Sequence, residues 1–184
     1  MDKTFTFMPR NKRKLQMKQR TLLLDNVQIK QRLKRIACQV YEDSYDEKEI
    51  IVAGIANSGY VLAKKLVDVL KKNYPLEVTL LEIIIDKDNP LQPVVKGAIG
   101  DKAFRKKTII LVDDVLNSGK TLMHSMRPFL EGDAKKIRTV LLVDRDHKKY
   151  PVAADYVGIT LSTTFKEHVC AELSKGKEDA VYLE

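Results

Sequence analysis

Two adjacent carboxylates and a turn of small residues form the stretch of this chain that is best suited to chemistry. Residues 108–121 read TIILVDDVLNSGKT, so an apolar β-branched run ends in Asp113 and Asp114 and a short turn leads into an amphipathic segment. This order predicts a strand, a turn and a helix. The backbone N–H groups and hydroxyls of such a turn can bind a phosphate. Carboxylates repel phosphate unless they face hydroxyls or a cation, so we expect a ligand with both a ribose and a phosphate.

This stretch has two alternative interpretations. A P-loop needs a glycine five positions before the glycine of its G-K-[ST] end, but that position is Asp114, so this interpretation fails. An ordinary strand-to-helix turn with an acid near the helix N-terminus explains one carboxylate and Gly119. It does not explain the whole arrangement.

Residues 111–121 resemble the phosphoribosyl pyrophosphate (PRPP) binding loop of the type I phosphoribosyltransferases. In that family two acids bind the ribose 2′ and 3′ hydroxyls, and the turn after them wraps the 5′-phosphate. The resemblance therefore assigns the ribose to Asp113 and Asp114. It assigns the 5′-phosphate to Asn117, Ser118, Gly119, Lys120 and Thr121.

Further segments resemble, in the same order, the bifunctional pyrimidine operon attenuator and uracil phosphoribosyltransferase proteins. They are residues 24–25, 54–64, 95–98 and 142–158, so the resemblance covers roughly residues 21–160. By this resemblance Arg145, Tyr156 and Val157 would contact and cover the base. Two alternatives stay open, because Tyr156 could be a core aromatic residue and Arg145 a surface ion-pair residue.

The resemblance places a pyrophosphate loop after the first core strand. The loop comprises Ala56, Asn57, Ser58 and Gly59, whose backbone N–H groups would be the donors. The attenuator-like proteins usually have Thr-Arg-Gly where this chain has Asn57-Ser58-Gly59. A serine cannot replace the charge of an arginine, so a cation expected near pyrophosphate is missing.

Residues 86–107 contain prolines and glycines without a helical period, and a connection this long is unusual unless it is functional. We expect a mobile lid over the reacting centre. The family's Tyr-Arg-Asp stretch is matched here by Asp86-Lys87-Asp88, which makes Lys87 and Asp88 the candidate catalytic residues. A lid suits phosphoribosyl transfer, because water would capture the oxocarbenium-like state in an open site.

The expected cofactor is Mg²⁺ held mainly by the substrate, because Mg²⁺ seldom has a cage made only of protein ligands. The three histidines and two cysteines show no metal-ligand spacing, so no protein-built metal site is predicted. Relatives that use 6-oxopurines carry an Asp three positions beyond the second acid, whereas this chain has Asn117. An amide cannot act as a base, which favours a pyrimidine.

Length and composition predict one domain, residues 21–184, behind a basic N-terminal extension of residues 1–20. No apolar run is long enough for a membrane span, and the first 20 residues lack the apolar centre of a signal peptide. Two cysteines far apart in the sequence favour reduced thiols. We therefore expect a soluble cytoplasmic protein with no membrane partner.

The net charge of +8 lies mainly in the N-terminal extension, which has seven Lys and Arg residues against one acid. A further basic cluster falls on the first predicted helix: Lys30, Arg32, Lys34 and Arg35. Such clusters can bind RNA. A solvated extension that aids solubility is the favoured alternative.

A series of strands and helices must position these residues. Apolar residues at helical spacing, behind the capping-box-like pair Asp25 and Gln28, predict a helix over 26–43. Apolar runs predict strands at 50–55, 78–85, 108–112, 137–143 and 156–159. Alternation of this kind predicts an α/β fold with a mostly parallel central sheet flanked by helices. Ligands bind beyond the carboxyl ends of such strands, where both loops would converge.

These observations lead to two functional hypotheses. The first is an enzyme that transfers the 5-phosphoribosyl group of PRPP to a nucleobase, with uracil favoured, and releases pyrophosphate. The second is a regulator that senses a uridine nucleotide, such as a nucleoside monophosphate, or PRPP and binds RNA through a basic face, with weak or no catalysis. Relatives suggest a homo-oligomer, a dimer or higher, in either case.

Overall fold

The computed structural model describes residues 20–86, 91–97, 103–162, 167–174 and 178–184. Its elements in chain order are β1 (Thr21–Leu24), α1 (Asn26–Glu42), β2 (Glu49–Ile55), α2 (Ser58–Asn73), β3 (Glu77–Ile84), β4 (Val94–Lys96), β5 (Thr108–Leu116), α3 (Lys120–Glu131), β6 (Lys136–Asp144), β7 (Tyr156–Thr160), β8 (Val169–Glu172) and β9 (Ala180–Leu183).

The larger sheet has the strand order β4-β3-β2-β5-β6-β7. Five of these strands run parallel to their neighbours, and only β4 at the edge is antiparallel. The predicted α/β fold with a mostly parallel sheet is confirmed. The predicted helix and strand bounds agree with the observed ones to within one residue, except at the end of β5.

Helices cover both faces of this sheet because its central strands are apolar on both faces. Alternate residues Ile50 and Val52 of β2 pack with α1 and α2, whereas Ile51, Ala53 and Ile55 pack with α3. This two-sided burial is the reason that the strands read as continuous apolar runs. It also fixes the helices so that α2 and α3 begin at the carboxyl edge of the sheet.

The predicted start of α1 is confirmed. Asp25 accepts a hydrogen bond from the backbone N–H of Gln28 at 2.7 Å, and the side chain of Gln28 accepts one from the backbone N–H of Asp25 at 3.0 Å. This reciprocal pair satisfies N–H groups that the first turn of a helix leaves open. The N-terminus of α1 is therefore capped by side chains.

A second, antiparallel sheet with the order β1-β9-β8 joins distant parts of the chain and was not predicted. Arg20 forms ion pairs with Glu172 at 2.5 Å and with Glu184 at 2.7 Å, and its guanidinium lies over the ring of Tyr182. The nearly buried Asp179 pairs with Lys65 of α2 at 2.8 Å. These contacts hold the small sheet over the carboxyl edge of the large one.

The predicted lid is only partly described by the structure. Residues 94–96 form β4, which pairs with β3 through Val95 opposite Ile83. Further along, the ring of Phe104 packs edge-on against Phe129 with centroids 4.8 Å apart. Both described ends of the segment are therefore anchored to the large sheet and to α3. Lys87 and Asp88, the candidate catalytic residues, lie outside the described residues, as do residues 1–19.

The amino edge of the large sheet carries a network of charges centred on Asp43. Its Oδ2 accepts hydrogen bonds from Arg138 at 3.0 Å, Lys136 at 3.2 Å and the Tyr156 hydroxyl at 2.9 Å. Burial alone would raise the pKa of Asp43, but these hydrogen bonds outweigh it and lower the pKa to about 2. The ordinary pKa of an unfolded aspartate is about 3.9, so the network stabilises the folded state.

We expect Asp43→Asn to lower the free energy of unfolding at pH 7 by about 1 kcal/mol, a value discounted because Asp43 is partly exposed. Because the folded pKa is depressed, the contribution of Asp43 is complete above about pH 4 and is lost as the pH falls through 2. Urea unfolding at pH 7 and at low pH should show the difference between the two proteins closing. The exposed Asp46→Asn is the control, and a difference that persists at low pH would contradict the assignment.

No helix in the described part of the chain has the length and apolar character needed to cross a bilayer.

Candidate functional site

The two carboxylates lie inside β5 and not after it. The strand continues past the predicted end at Val112 as far as Leu116, because its ladder to β6 extends to the pairing of Leu116 with Asp144. Asp113 is 6% exposed, and its Oδ1 accepts the backbone N–H of Asp114 at 3.0 Å. Asp114 is half-buried. The strand thus presents both acids from a rigid element.

The turn after β5 is built for close approach. Gly119 has a φ of +84°, and a Cβ atom there would lie 2.5 Å from Cγ2 of Val152. Only glycine adopts this conformation without strain in so little space. The carbonyl of Ser118 accepts backbone N–H groups from Lys149 at 2.8 Å and Tyr150 at 3.1 Å, so the loop after β6 fixes the turn from behind.

Both helices that begin at the site lack a side-chain cap. The N-cap residues Asn57 of α2 and Gly119 of α3 accept no side-chain hydrogen bond from the first turn. At the start of α3 only Oγ of Ser118, the residue before the N-cap, accepts a first-turn N–H in the described part of the chain, that of Lys120 at 3.3 Å. Neither first turn contains an acid. Uncapped N–H groups and the positive helix dipole favour an anion. The contrast with the fully capped α1, whose start lies elsewhere, indicates two anion-binding positions.

The first turn of α2 contacts Asp113 directly. A Cβ atom at Gly59 would lie 2.8 Å from Oδ1 and 3.0 Å from Cα of Asp113, so glycine is needed for α2 to approach β5. Asn57 has a φ of +72°, a conformation that costs a non-glycine residue about 1–3 kcal/mol. Such strain is often found at functional sites. The loop and the acids therefore form one structural unit.

A cavity of about 350 Å³ opens between the turn, the acids and β8. Eight of the predicted site residues line it: Ser58, Asp113, Asp114, Asn117, Ser118, Gly119, Thr121 and Arg145. Gly59 packs against Asp113, and Lys120 is the first residue of α3, directly after the turn. The structure thus brings together the residues predicted for ribose and phosphate and one residue of the predicted pyrophosphate loop. Ala56 and Asn57 precede that residue and do not line the cavity.

Arg145 is the one predicted base-contacting residue that the structure brings to the cavity. The side chain is only 5% exposed, and its guanidinium donates to Oδ1 of Asn117 at 3.3 Å and to the carbonyl of Glu167 at 2.5 Å. It therefore connects the phosphate turn to the segment that leads into β8. Arg145 is therefore not an exposed surface residue.

The structure corrects the expectation for Tyr156 and Val157. Tyr156 is buried, and its hydroxyl donates to Asp43 at the amino edge of the sheet, away from the cavity. Burial, followed by the hydrogen bond to Asp43, raises the pKa of Tyr156. The carbonyl of Val157 accepts the guanidinium of Arg35 at 2.7 Å, and neither residue lines the cavity. The alternative of a core aromatic residue is the one that the structure supports.

Sequence reasoning missed the wall of the cavity opposite the turn. It is formed by His168, Val169, Cys170 and Ala171 of β8 and the residue before it. His168 exchanges two backbone hydrogen bonds of 2.8 Å with Glu184, which ties this wall to the end of β9. The short apolar run at 169–171 was a weak signal, since four-residue strands cannot be distinguished from loops by periodicity.

The described residues contain no group of three or more His, Cys, Asp or Glu side chains that could hold a metal ion. Asp113 and Asp114 do offer two carboxylates at one cavity. Mg²⁺ commonly binds through one or two carboxylates together with substrate phosphates and water. The donor set therefore fits a magnesium ion that the substrate brings, and does not provide a cage made only of protein ligands.

Comparison with known proteins agrees with this geometry. Residues 19–174 match the family described as the phosphoribosyl transferase domain. The bifunctional protein PyrR of Alkaliphilus metalliredigens is 35% identical over 177 residues, which cover 91% of this chain and 97% of that protein. The bifunctional protein PyrR of Bacillus pumilus is 34% identical over 168 residues, which cover 86% of this chain and 93% of that protein.

A solved structure supports the same fold. The hypoxanthine phosphoribosyltransferase of Trypanosoma cruzi superposes with a TM-score of 0.70 at 15% identity, over 88% of this chain and 95% of that one. At such low identity the match concerns the arrangement of the strands and helices alone.

Proposed function

The chain belongs to the phosphoribosyl transferase domain family, and from this premise we propose that it transfers the 5-phosphoribosyl group of PRPP to uracil and releases pyrophosphate. The family makes the chain a pentosyltransferase. The observation that carries the assignment is the single cavity lined by Asp113, Asp114 and the uncapped start of α3. In this cavity, the acids that would bind the ribose diol are separated by one turn from the N–H groups that would bind the phosphate.

In the proposed complex the two carboxylates accept hydrogen bonds from the ribose hydroxyls. The backbone N–H groups of the turn, with the hydroxyls of Ser118 and Thr121, bind the 5′-phosphate. Both contacts come from elements fixed by the sheet, so the ribose C1 would be held in one orientation toward base and leaving group. Positioning of this kind supplies a large part of the barrier reduction in group transfer.

The leaving pyrophosphate would lie at the start of α2. Ser58 lines the same cavity as Asp113, and Gly59 packs against Asp113. The backbone N–H groups of these two residues would donate to the pyrophosphate. When bound with PRPP, Mg²⁺ supplies neutralisation of the pyrophosphate charge. The proposed lid residues, Lys87 and Asp88, would complete the site from outside the described residues.

Uracil is the base that these residues favour. Asn117 occupies the position at which the 6-oxopurine enzymes carry an Asp. The guanidinium of Arg145 can only donate a hydrogen bond, so it is the amide oxygen of Asn117 that accepts it. Asn117 therefore cannot remove a proton from a purine. The names of the PyrR relatives describe bifunctional proteins, and our proposal extends a pyrimidine-related role to this chain.

The test is a reaction of the purified full chain with PRPP, Mg²⁺ and radiolabelled bases. We expect UMP from uracil, with hypoxanthine and guanine converted at least about 100-fold less efficiently, since a mismatched polar group in a binding site costs several kcal/mol. Conversion of hypoxanthine at the rate of uracil would contradict the base assignment. Absence of any product together with absence of PRPP binding would contradict the proposed activity.

A second proposed function, an RNA-binding attenuator with weak catalysis, has support in the exposed Lys30 and Lys34 on one side of α1. However, the guanidinium of Arg35 is bound to the carbonyls of Val157 and Gly158, so it is used within the fold. The predicted basic cluster is thereby reduced. RNA binding that rises with UMP and falls steeply with salt, without turnover of uracil, would favour this function.

The setting and assembly of the protein are also proposals. The free thiols of Cys38 and Cys170 support a reducing, cytoplasmic environment. A homo-oligomer is supported by exposed apolar side chains such as Met123 and Leu130 of α3, and sedimentation analysis measures it directly.

A further inference from the structure

Arg145 is a buried cation that joins two separate walls of the cavity between the phosphate turn and β8. Two different nitrogens of its guanidinium are used, one for the amide oxygen of Asn117 at 3.3 Å and one for the carbonyl of Glu167 at 2.5 Å. Asn117 belongs to the phosphate turn, whereas Glu167 leads into β8, which forms the opposite wall. One planar group therefore sets the distance between the turn and that wall.

The large sheet fixes the backbone from which this side chain extends. The N–H of Arg145 donates to the carbonyl of Leu116, the last residue of β5, at 3.1 Å. The preceding residue, Asp144, ends β6, and its carbonyl accepts the N–H of Leu161 at 2.8 Å. Arg145 thus starts from the joined ends of three neighbouring strands, and it can hold in place the two acceptors that its guanidinium reaches.

The contact with Arg145 orients the side chain of Asn117. A second cavity of about 280 Å³ also meets the turn, so Asn117 and Ser118 line open space in both cavities. The backbone N–H groups of Lys149 and Tyr150 hold the carbonyl of Ser118, at 2.8 and 3.1 Å, but they do not bind the amide of Asn117. Because a guanidinium can only donate, it takes the amide oxygen and leaves the NH₂ group, a donor, for an anion in the turn.

We propose that Arg145 is a positioning residue for the transfer of the phosphoribosyl group. It holds Asn117 and the carbonyl of Glu167 at once and so fixes the phosphate turn relative to the opposite wall. It acts through Asn117 and not by contact with the base. A displaced turn would move the ribose C1 away from the attacking base, and a misplacement of about 1 Å costs on the order of 100-fold in rate. This inference rests on the proposed function, because it takes the 5′-phosphate site and the transferred group from it.

Arg145→Lys in the full chain tests this role, because lysine keeps the charge but lacks the planar fork that reaches two acceptors. We expect kcat with uracil to fall about 100-fold. Ribose 5-phosphate carries the ribose and the 5′-phosphate without the leaving group. Its inhibition constant against PRPP should rise about tenfold, for the loss of one oriented hydrogen bond to a charged group. The KM for uracil and the inhibition constant of pyrophosphate should stay unchanged, since neither ligand would contact the turn.

Lys65→Met is the control for a general loosening of the small sheet. Lys65 pairs with the nearly buried Asp179 at 2.8 Å and so ties the residue before β9 to α2, yet neither residue lines the cavity. We expect this variant to melt at a lower temperature with kcat and both inhibition constants unchanged. An equal loss of kcat in Lys65→Met and Arg145→Lys would show a structural effect and would overturn the inference.

Asn117→Ala, made alone and together with Arg145→Lys, completes a double-mutant cycle. Because Arg145 acts through Asn117, the two losses of kcat should not multiply in the double variant. Losses that multiply would overturn the inference, as would a raised KM for uracil in Arg145→Lys with an unchanged inhibition constant of ribose 5-phosphate, which would show contact with the base. If Arg145→Lys does not fold, Asn117→Ala carries the test alone, and an unchanged kcat overturns the inference. Absence of any product from the wild type would instead contradict the proposed function.

Discussion

Asp114→Asn should reduce kcat/KM for PRPP by about 100-fold to 1000-fold while leaving the protein folded. A carboxylate accepts hydrogen bonds from a ribose diol with full charge assistance, and an amide replaces one of its acceptor oxygens by a donor that faces a hydroxyl. Loss of a charged hydrogen bond costs about 1.5–3 kcal/mol, and a misplaced donor adds to it. Because Asp114 is half-buried and no described side chain depends on it, the loss should appear in binding and not in stability.

Asp113→Asn should differ from Asp114→Asn in a way that the structure specifies. Asp113 is nearly buried, its Oδ1 accepts the backbone N–H of Asp114, and it touches the loop at Gly59. We therefore expect a similar loss of kcat/KM together with a lower melting temperature. The exposed Asp68→Asn on α2 is the control for carboxylate removal in general.

Steady-state kinetics, PRPP titration and thermal melting of the three variants check both expectations. If Asp114→Asn bound PRPP with the affinity of the wild type, the carboxylates would not bind the ribose. That result would contradict the proposed activity. Equal melting temperatures in the variants of Asp113 and Asp114 would contradict only the structural role given to Asp113.

The sequence was sufficient to predict the elements whose signals are local. The capping pair and the helical spacing located α1, and the apolar runs located five strands of the large sheet because those strands are buried on both faces. The end of β5 was missed because two carboxylates look like the end of an apolar strand. The ladder to β6 holds them in the strand, and such a ladder is a long-range contact that composition does not show.

Long-range contacts also explain the other differences. The small sheet pairs Thr21 with Leu183 and Val169 with Leu183, so its strands come from opposite ends of the chain and each is only four residues long. Tyr156 was assigned to the base by resemblance, yet its partner Asp43 is 113 residues away. Local pattern carries no information about which of two buried surfaces an aromatic ring will face. The residues of the phosphate turn, in contrast, act largely through their own backbone, and for that reason their position could be predicted.

The absence of a cation at Ser58 has a consequence that can be tested by adding one. Ser58 is the first residue of α2, it lines the cavity, and the first turn of that helix has no side-chain cap. By the resemblance described above, the attenuator-like proteins usually have Arg at this position. A guanidinium there would bind pyrophosphate through two charge-assisted hydrogen bonds, and the charge on the leaving group grows as the bond to C1 breaks.

We therefore expect Ser58→Arg to raise kcat/KM for PRPP by about 10-fold to 100-fold, which corresponds to the 1.5–3 kcal/mol of hydrogen bonds to a charged group. Ser58→Lys supplies the charge without the fork and should give a smaller gain, and Ser58→Gln supplies length without charge and should give none. Inhibition by added pyrophosphate should tighten in the same order, because the product binds where the leaving group departs. Equal rates in the Arg and Gln variants would contradict the placement of pyrophosphate at the start of α2, since a charge that contacts the leaving group must act on the step that releases it.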